Sequence, residues 1–340
     1  MAYPLSILDL AQVVRGETTA DSLRASVDMA QRAESWGYRR IWYAEHHNMP
    51  TIASSATAVL IGQVAAATST IALGSGGVML PNHAPLTIAE QFGTLASFHP
   101  GRIELGLGRA PGTDQQTMLA MRRDHTSADR FPQDVLELQG YLSGQSRVDG
   151  VAATPGKGTG VPLYILGSSL FGAHLAAALG LPYSFASHFA PAALHDAVRV
   201  YREEFTPSAQ LDEPRVIAGV NVVAADTAAE AERIFHDARR RRVAALVGRG
   251  RARGRRFTDD ELDALLESPA GAQVAGMTKY SAVGTADQVA DYLDRFAVDA
   301  DADELIVVSQ AADRTAWLRT LELLAPLNAR GVGRSRGVAA

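Results

Sequence analysis

Eight short apolar runs recur along this chain, each followed by a stretch with helical spacing, and this alternation limits the fold more than any other feature. The runs lie at 5–10, 41–44, 71–74, 103–108, 162–167, 183–187, 215–223 and 304–309. Helices are predicted over 19–35, 54–68, 86–98, 129–142, 173–179, 191–205, 227–247, 285–296 and 315–327. The first carries Leu23, Val27, Ala30 and Ala33 at helical spacing and stops at Gly37. A strand that is apolar throughout is covered on both faces, as in a parallel sheet flanked by helices. Eight strands alternating with helices over 340 residues predict an α/β fold, a (β/α)8 TIM barrel, since a doubly wound sheet more often stops at five to seven strands. No domain break interrupts the rhythm. The chain reads as one barrel over 1–328 with a flexible tail at 329–340.

Two intervals depart from the pattern. Residues 154–160 are glycine-rich and predict a flexible surface loop. Residues 249–280 form a long loop insertion after strand seven, with Arg249, Arg251, Arg253, Arg255 and Arg256 followed by a short acidic helix over 259–266. Long loops inside compact domains often serve as lids. Together with Arg239, Arg240, Arg241 and Arg242, the segment reads as a solvated helix face and mobile loop, with binding of an anion or a membrane surface as the alternative.

A hydrophobic content of 47% supports a large core, and a formal net charge of −5 argues against coating nucleic acid. The absence of cysteine excludes disulfides, thiolate metal sites and a cysteine nucleophile. No basic-then-apolar leader and no run of some 18 apolar residues is seen, which predicts a soluble, cytoplasmic protein with no membrane partner.

Barrel enzymes gather their chemistry at the C-terminal ends of the strands. Strand two runs into Glu45-His46-His47, and histidine titrates nearest physiological pH. Strand three ends in Gly74-Ser75-Gly76-Gly77, where missing side chains would let a planar ligand lie on the backbone. The same glycines equally suit a bulge or a barrel-closure kink. Strand four delivers Arg109, a permanent cation with a fork of donors suited to phosphate. Strand five delivers Ser168, Ser169 and Gly172 at a helix start, where unpaired N–H groups favour an anion. His83, His99 and His188 are available as further metal ligands, but no spacing demands one, and no metal site is expected. Tyr3, Trp42, Met79, Phe185 and His188 are candidates for lining a pocket, although such residues more often fill a core.

These residues, taken in order, resemble the bacterial luciferase-like flavin monooxygenases, in a non-bioluminescent branch. The likeness is carried by Ala44-Glu45-His46-His47, the 74–81 stretch, Pro100-Gly101-Arg102-Ile103 leading to Gly108-Arg109, and Gly180-Leu181-Pro182. It runs from residue 5 to about residue 205. It implies a barrel that uses reduced FMN (FMNH2) from a separate flavin reductase and O2 to oxygenate a small organic substrate through a flavin hydroperoxide. It implies a catalytic His46 with Glu45 and His47 in support, a non-proline cis peptide at Gly76-Gly77 beneath the flavin ring, and phosphate contacts from Arg109, Ser168, Ser169 and Gly172. Gly108 stands where the light-emitting subunit has a reactive cysteine, and Ser168 where it has a glutamate, which speaks against light emission and an aldehyde substrate. The rival readings are hydride transfer with the deazaflavin F420 on the same fold and a non-catalytic flavin-binding partner subunit. Analogy gives a homodimer. No Rossmann fingerprint for a nicotinamide cofactor appears, since the 74–77 glycines lack the third glycine and the helix start.

Overall fold

The computed structural model describes residues 3–14, 16–110, 112–248, 257–311 and 313–331. Its strands are β1 (Leu5–Asp9), β2 (Arg40–Tyr43), β3 (Ala72–Met79), β4 (Ile103–Gly108), β5 (Leu163–Gly167), β6 (Tyr183–Phe185), β7 (Val216–Ala224), β8 (Ser281–Gly284) and β9 (Glu304–Ser309). β1 to β7 pair in parallel, each with the next, and β9 joins β7 to β1, closing an eight-stranded barrel. The helices are α1 (Thr19–Ser35), α2 (Thr57–Ala67), α3 (Pro85–Phe98), α4 (Gln115–Ala120), α5 (Phe131–Ser143), α6 (Leu170–Leu179), α7 (Leu194–Glu204), α8 (Ala228–Gly248), α9 (Asp259–Leu266), α10 (Pro269–Met277), α11 (Ala286–Asp299) and α12 (Arg314–Gly331). Local chemistry starts and stops them. Thr18 with Asp21 and Thr285 with Gln288 form capping boxes that satisfy the first N–H groups of α1 and α11. Gly180, at φ +61°, ends α6 where a Cβ would stand 2.5 Å from the Thr206 carbonyl.

The structure differs from the sequence reading in four places. β8 is a short extra strand that pairs with Asn221–Ala224 of β7, and its four residues carry too little apolar pattern to be read in advance. The insertion after strand seven is largely helical. α9 and α10 both pack on α8 through Val243, Leu266 and Val274. α11 then packs on β7 and β8, so the insertion begins with α8 rather than at residue 249. Arg249, Arg251, Arg253, Arg255 and Arg256 lie outside the described residues. The 154–160 stretch, expected to be a flexible loop, is docked: Gly156 is buried against Ala89 and Gly93 of α3, and the Gly158 and Gly160 N–H groups donate to the Leu142 carbonyl. Finally, α12 runs on to Gly331, into the stretch expected as tail, and 332–340 lie outside the described residues.

Strand alternation sorts the barrel residues into two sets. Ile7, Ile41, Tyr43, Leu105, Ile165, Val220 and Val307 belong to the apolar layer under the helices. Leu8, Trp42, Ala44, Tyr164, Ile217, Ile306 and Val308 form a separate interior cluster. Below that cluster the interior turns polar. The fully buried Arg40 reaches Glu104 at 2.7 Å and Glu304 at 2.8 Å. Trp42 Nε1 and the Tyr164 hydroxyl also donate to Glu104, while Ser6 Oγ and Arg215 donate to Glu304. This network joins β1, β2, β4, β5 and β9 across the closed end. Removing one partner of a buried pair leaves an uncompensated charge, so Arg40→Met should lower stability by about 3–5 kcal/mol. Arg199→Ala, which breaks only exposed pairs to Asp196 and Glu203, should change it little. Denaturant midpoints of the two variants check this, and similar small shifts in both would refute it.

Candidate active site

At the open end, β2 passes from apolar to ionisable residues within three positions. His46 is the next residue of the inward series Arg40, Trp42, Ala44. Its backbone N–H donates to the Ser54 carbonyl at 3.0 Å, while its ring Nδ1 is buried with no hydrogen-bond partner in the protein. Burial, partly offset by Glu45, lowers the His46 pKa from its ordinary value, so the ring is neutral at neutral pH. Glu45 falls on the other side of the strand, where its 1% exposed side chain collects donors. His47 Nε2 lies 2.8 Å away, His83 Nε2 2.9 Å, Asn82 Nδ2 3.3 Å and the Met79 N–H 3.2 Å. Burial alone would raise this carboxyl, but the hydrogen bonds from His47 and His83 hold it down at about 2. Glu45 is therefore an ionised brace that fixes the end of β2 to the β3–α3 connection. His47 serves that brace and not the barrel interior. Among the described residues, no group of three or more His, Asp or Glu has the arrangement of a metal site.

The glycines of β3 and β4 resolve into different tasks. Between Ser75 and Val78 the register with β4 slips, Gly76 and Gly77 standing against the single Gly106, so the stretch is a bulge, with the Gly76-Gly77 peptide cis. Gly77 is buried, and a Cβ there would lie 2.7 Å from the Gly106 carbonyl; one on Gly106 would lie 2.2 Å from that of Ser75. Both are glycine because the two backbones touch. Gly76 faces inward over Leu8 and Trp42 and stays partly exposed. Ala44 and Ala186 are further small inward residues, just past β2 and β6, whereas Gly108 is covered by Met79 and Gly219 by His188.

Arg109 stands at the end of β4, half-buried. Its guanidinium packs 4.1 Å from the centre of the Phe171 ring, which holds it at the first turn of α6, and its Nε donates to the Ala128 carbonyl at 3.4 Å. No carboxylate among the described residues pairs with it. Ser168 and Ser169 are exposed there, and Ser169 occupies the N-cap of α6 without using its hydroxyl. Gly172 differs from expectation: it is buried against Tyr183 and Gly167, and lets α6 approach β5 instead of opening its backbone to solvent.

A family model described as luciferase-like monooxygenase matches residues 4–304. The chain belongs to this family. A luciferase-like monooxygenase of Escherichia coli (strain K12) is 46% identical over 320 residues, 94% of this chain and 95% of that one. The crystal structure of apo-MsnO8 superposes with a TM-score of 0.85 at 35% identity, covering 96% and 98% of the two chains. Two more distant structures share the fold alone: the oxygenating constituent of 3,6-diketocamphane monooxygenase from Pseudomonas putida, in complex with FMN (TM-score 0.73, 18% identity, covering 96% and 97%), and an F420-dependent secondary alcohol dehydrogenase with an F420–acetone adduct (TM-score 0.71, 16%, covering 96% and 99%). As a luciferase-like monooxygenase, the chain brings His46, Gly76, Arg109, Ser168 and Ser169 to one barrel mouth.

Sequence reasoning missed the Glu45 partners His83 and Asn82, which sit in the polar connection after β3. It also missed Phe171 as the rest for Arg109, although an aromatic one residue before Gly172 was visible. Because the folded Glu45 pKa is depressed, its stabilisation is present above its unfolded pKa near 4.5 and is lost as pH falls toward about 2. Glu45→Gln should thus cost on the order of 3 kcal/mol at pH 7. Denaturant midpoints should show the gap from wild type closing between pH 4.5 and 2; a gap independent of pH would refute the assignment.

Proposed function

We propose that this luciferase-like monooxygenase binds reduced FMN, delivered by a separate flavin reductase, and uses O2 to oxygenate a small organic substrate. The observation that carries the reading is Arg109, a half-buried cation with no carboxylate partner among the described residues, held by Phe171 at the start of α6 beside two exposed serines. The partly exposed Gly76 and the partly buried His46 lie on β3 and just past β2, the two strands that precede Arg109 around the barrel. These features fit a flat ring with a phosphate tail. When bound, reduced FMN supplies the two electrons with which O2 delivers one oxygen atom to substrate and the other to water.

In this reading Arg109, Ser168, Ser169 and the first N–H groups of α6 hold the phosphate. The Gly76-Gly77 backbone lies under the ring, with Gly76 the exposed member. His46, kept neutral by its partial burial, would turn its accessible ring edge toward the reacting oxygen and hold or pass a proton there. Glu45, His47 and His83 keep the end of β2 in place. The α8–α10 insertion closes the mouth and limits water entry. No helix among the described residues is long and apolar enough to cross a membrane. A homodimer remains part of this reading by analogy with the family.

F420-dependent hydride transfer is the alternative supported by the fold, and comparing the binding of FMN with that of F420 separates the two. A non-catalytic partner subunit would have no need of both an unpaired Arg109 and an unsatisfied His46. Fluorescence quenching should show FMN bound in preference to riboflavin, with Arg109→Ala weakening FMN about 10- to 100-fold and leaving riboflavin unchanged. His46→Ala should bind FMN normally, yet release hydrogen peroxide at least about tenfold faster on mixing the reduced complex with oxygen. FMN bound no better than riboflavin, or peroxide release untouched by His46→Ala, would overturn the respective assignment.

A further inference from the structure

The barrel wall opposite His46, formed by β6, β7 and β9, carries a polar cluster that neither the phosphate site nor the His46 brace uses. His188, Asn221 and Gln310 each continue an inward series: Ser184–Ala186–His188, Ile217–Gly219–Asn221 and Ile306–Val308–Gln310. His188 is 9% exposed and its Nδ1 has no hydrogen-bond partner. It fills the space that a side chain on Gly219 would need, since a Cβ there would stand 2.3 Å from that nitrogen. Asn221 Nδ2 donates to the His188 carbonyl at 2.7 Å, and Gln310 Nε2 donates to Asn221 Oδ1 at 2.7 Å. The chain of bonds ends at a cation. Arg242 of α8 donates through Nε at 3.2 Å and Nη2 at 3.0 Å to Gln310 Oε1.

Arg242 is thereby fixed beside Gln310, just past the end of β9, and its other guanidinium nitrogen, Nη1, has no partner among the described residues. No carboxylate among the described residues lies within salt-bridge distance of it. Asp237 and Asp313 act on its neighbour Arg241, and Asp259 and Asp263 are taken by Arg240. Nearby Arg239 also has a buried Nε without a partner. A half-buried guanidinium lacking a counter-ion is costly to keep, and burial together with Arg241 disfavours its charge. Burial, with Arg242 beside it, pushes the His188 pKa down to about 3, so the imidazole below adds no charge of its own. A planar fork with one side free suits a carboxylate. Such a group would not compete with the cofactor phosphate, because Arg109 and α6 belong to the β4–β5 sector of the mouth.

We infer that Arg242, set in place by Gln310 and Asn221 above His188, anchors a carboxylate of the substrate, so that this monooxygenase takes anionic organic acids. The inference rests on the proposed monooxygenase reading for what then happens to the substrate, but not for the binding itself. The test is calorimetric titration of the full chain, with and without FMN, using matched pairs of acid and methyl ester: 3-phenylpropanoate, octanoate and N-acetylmethionine. At least one acid should bind about tenfold or more tighter than its ester. Arg242→Gln should abolish that preference while leaving ester and FMN affinities unchanged, and Arg242→Lys should restore part of it. Gln310→Glu, which sets a carboxylate of the protein against Arg242, should abolish it too. No acid preferred over its ester, a preference that survives Arg242→Gln, or a loss of FMN affinity in that variant would each overturn the assignment. Should the wild type bind no FMN, the cofactor reading fails, while the acid–ester comparison on the free protein still decides the anchor.

Discussion

The buried pairing of Arg40 with Glu104 and Glu304 is the constraint on which the rest of the barrel depends. A closed parallel barrel must fill its interior from eight strands whose inward residues meet at fixed levels. Here the lowest level is ionic and is satisfied from five strands, with Trp42, Tyr164, Ser6 and Arg215 completing the bonds. An ion network of this kind is weak evidence for net stability, because desolvating the charges offsets much of their attraction. Its effect is on geometry. Glu104 and Glu304 can both be satisfied only if β2 stands in one register relative to β4 and β9.

That register sets every level above it. Trp42 packs edge-on against Tyr164 at 4.9 Å and seals the lower interior. One step higher the inward positions mix small residues, Ala44, Gly76 and Ala186, with Leu10 and Leu166. One step higher again they become polar, with His46 on one wall and His188, Asn221 and Gln310 on the other. The site is thus a stack of charge, aromatic packing, small residues and polar rim. A one-residue slip of β2 would take His46 out of the interior and put Glu45 in its place.

Much of this was legible in the chain, and what was not has a physical reason. The eight barrel strands show because each is buried on both faces and reads as an unbroken apolar run. β8 does not show, since four residues at an edge need little apolar content. Arg109, Ser168 and Ser169 could be placed together because barrel topology puts consecutive strand ends side by side. The supporting role of Glu45 beside His47 could be read, but its partners Asn82 and His83 could not, as they come from 37 and 38 positions away. The glycines misled in part. Gly77, Gly106 and Gly172 exist for close backbone packing, and only Gly76 of the pair keeps an open face.

Arg239 to Arg242 show most clearly how sequence underdetermines a charged run. As a string they suggest a solvated helix face. In the fold their consecutive positions on α8 point to different neighbours: Arg240 to Asp259 and Asp263, beside His236, and Arg241 and Arg242 to Gln310. One face of α8 therefore holds α9 while the other holds the end of β9. The insertion and the barrel rim are coupled through a single rigid helix. A negative charge bound at Arg242 would act on the same element that positions α9 and α10.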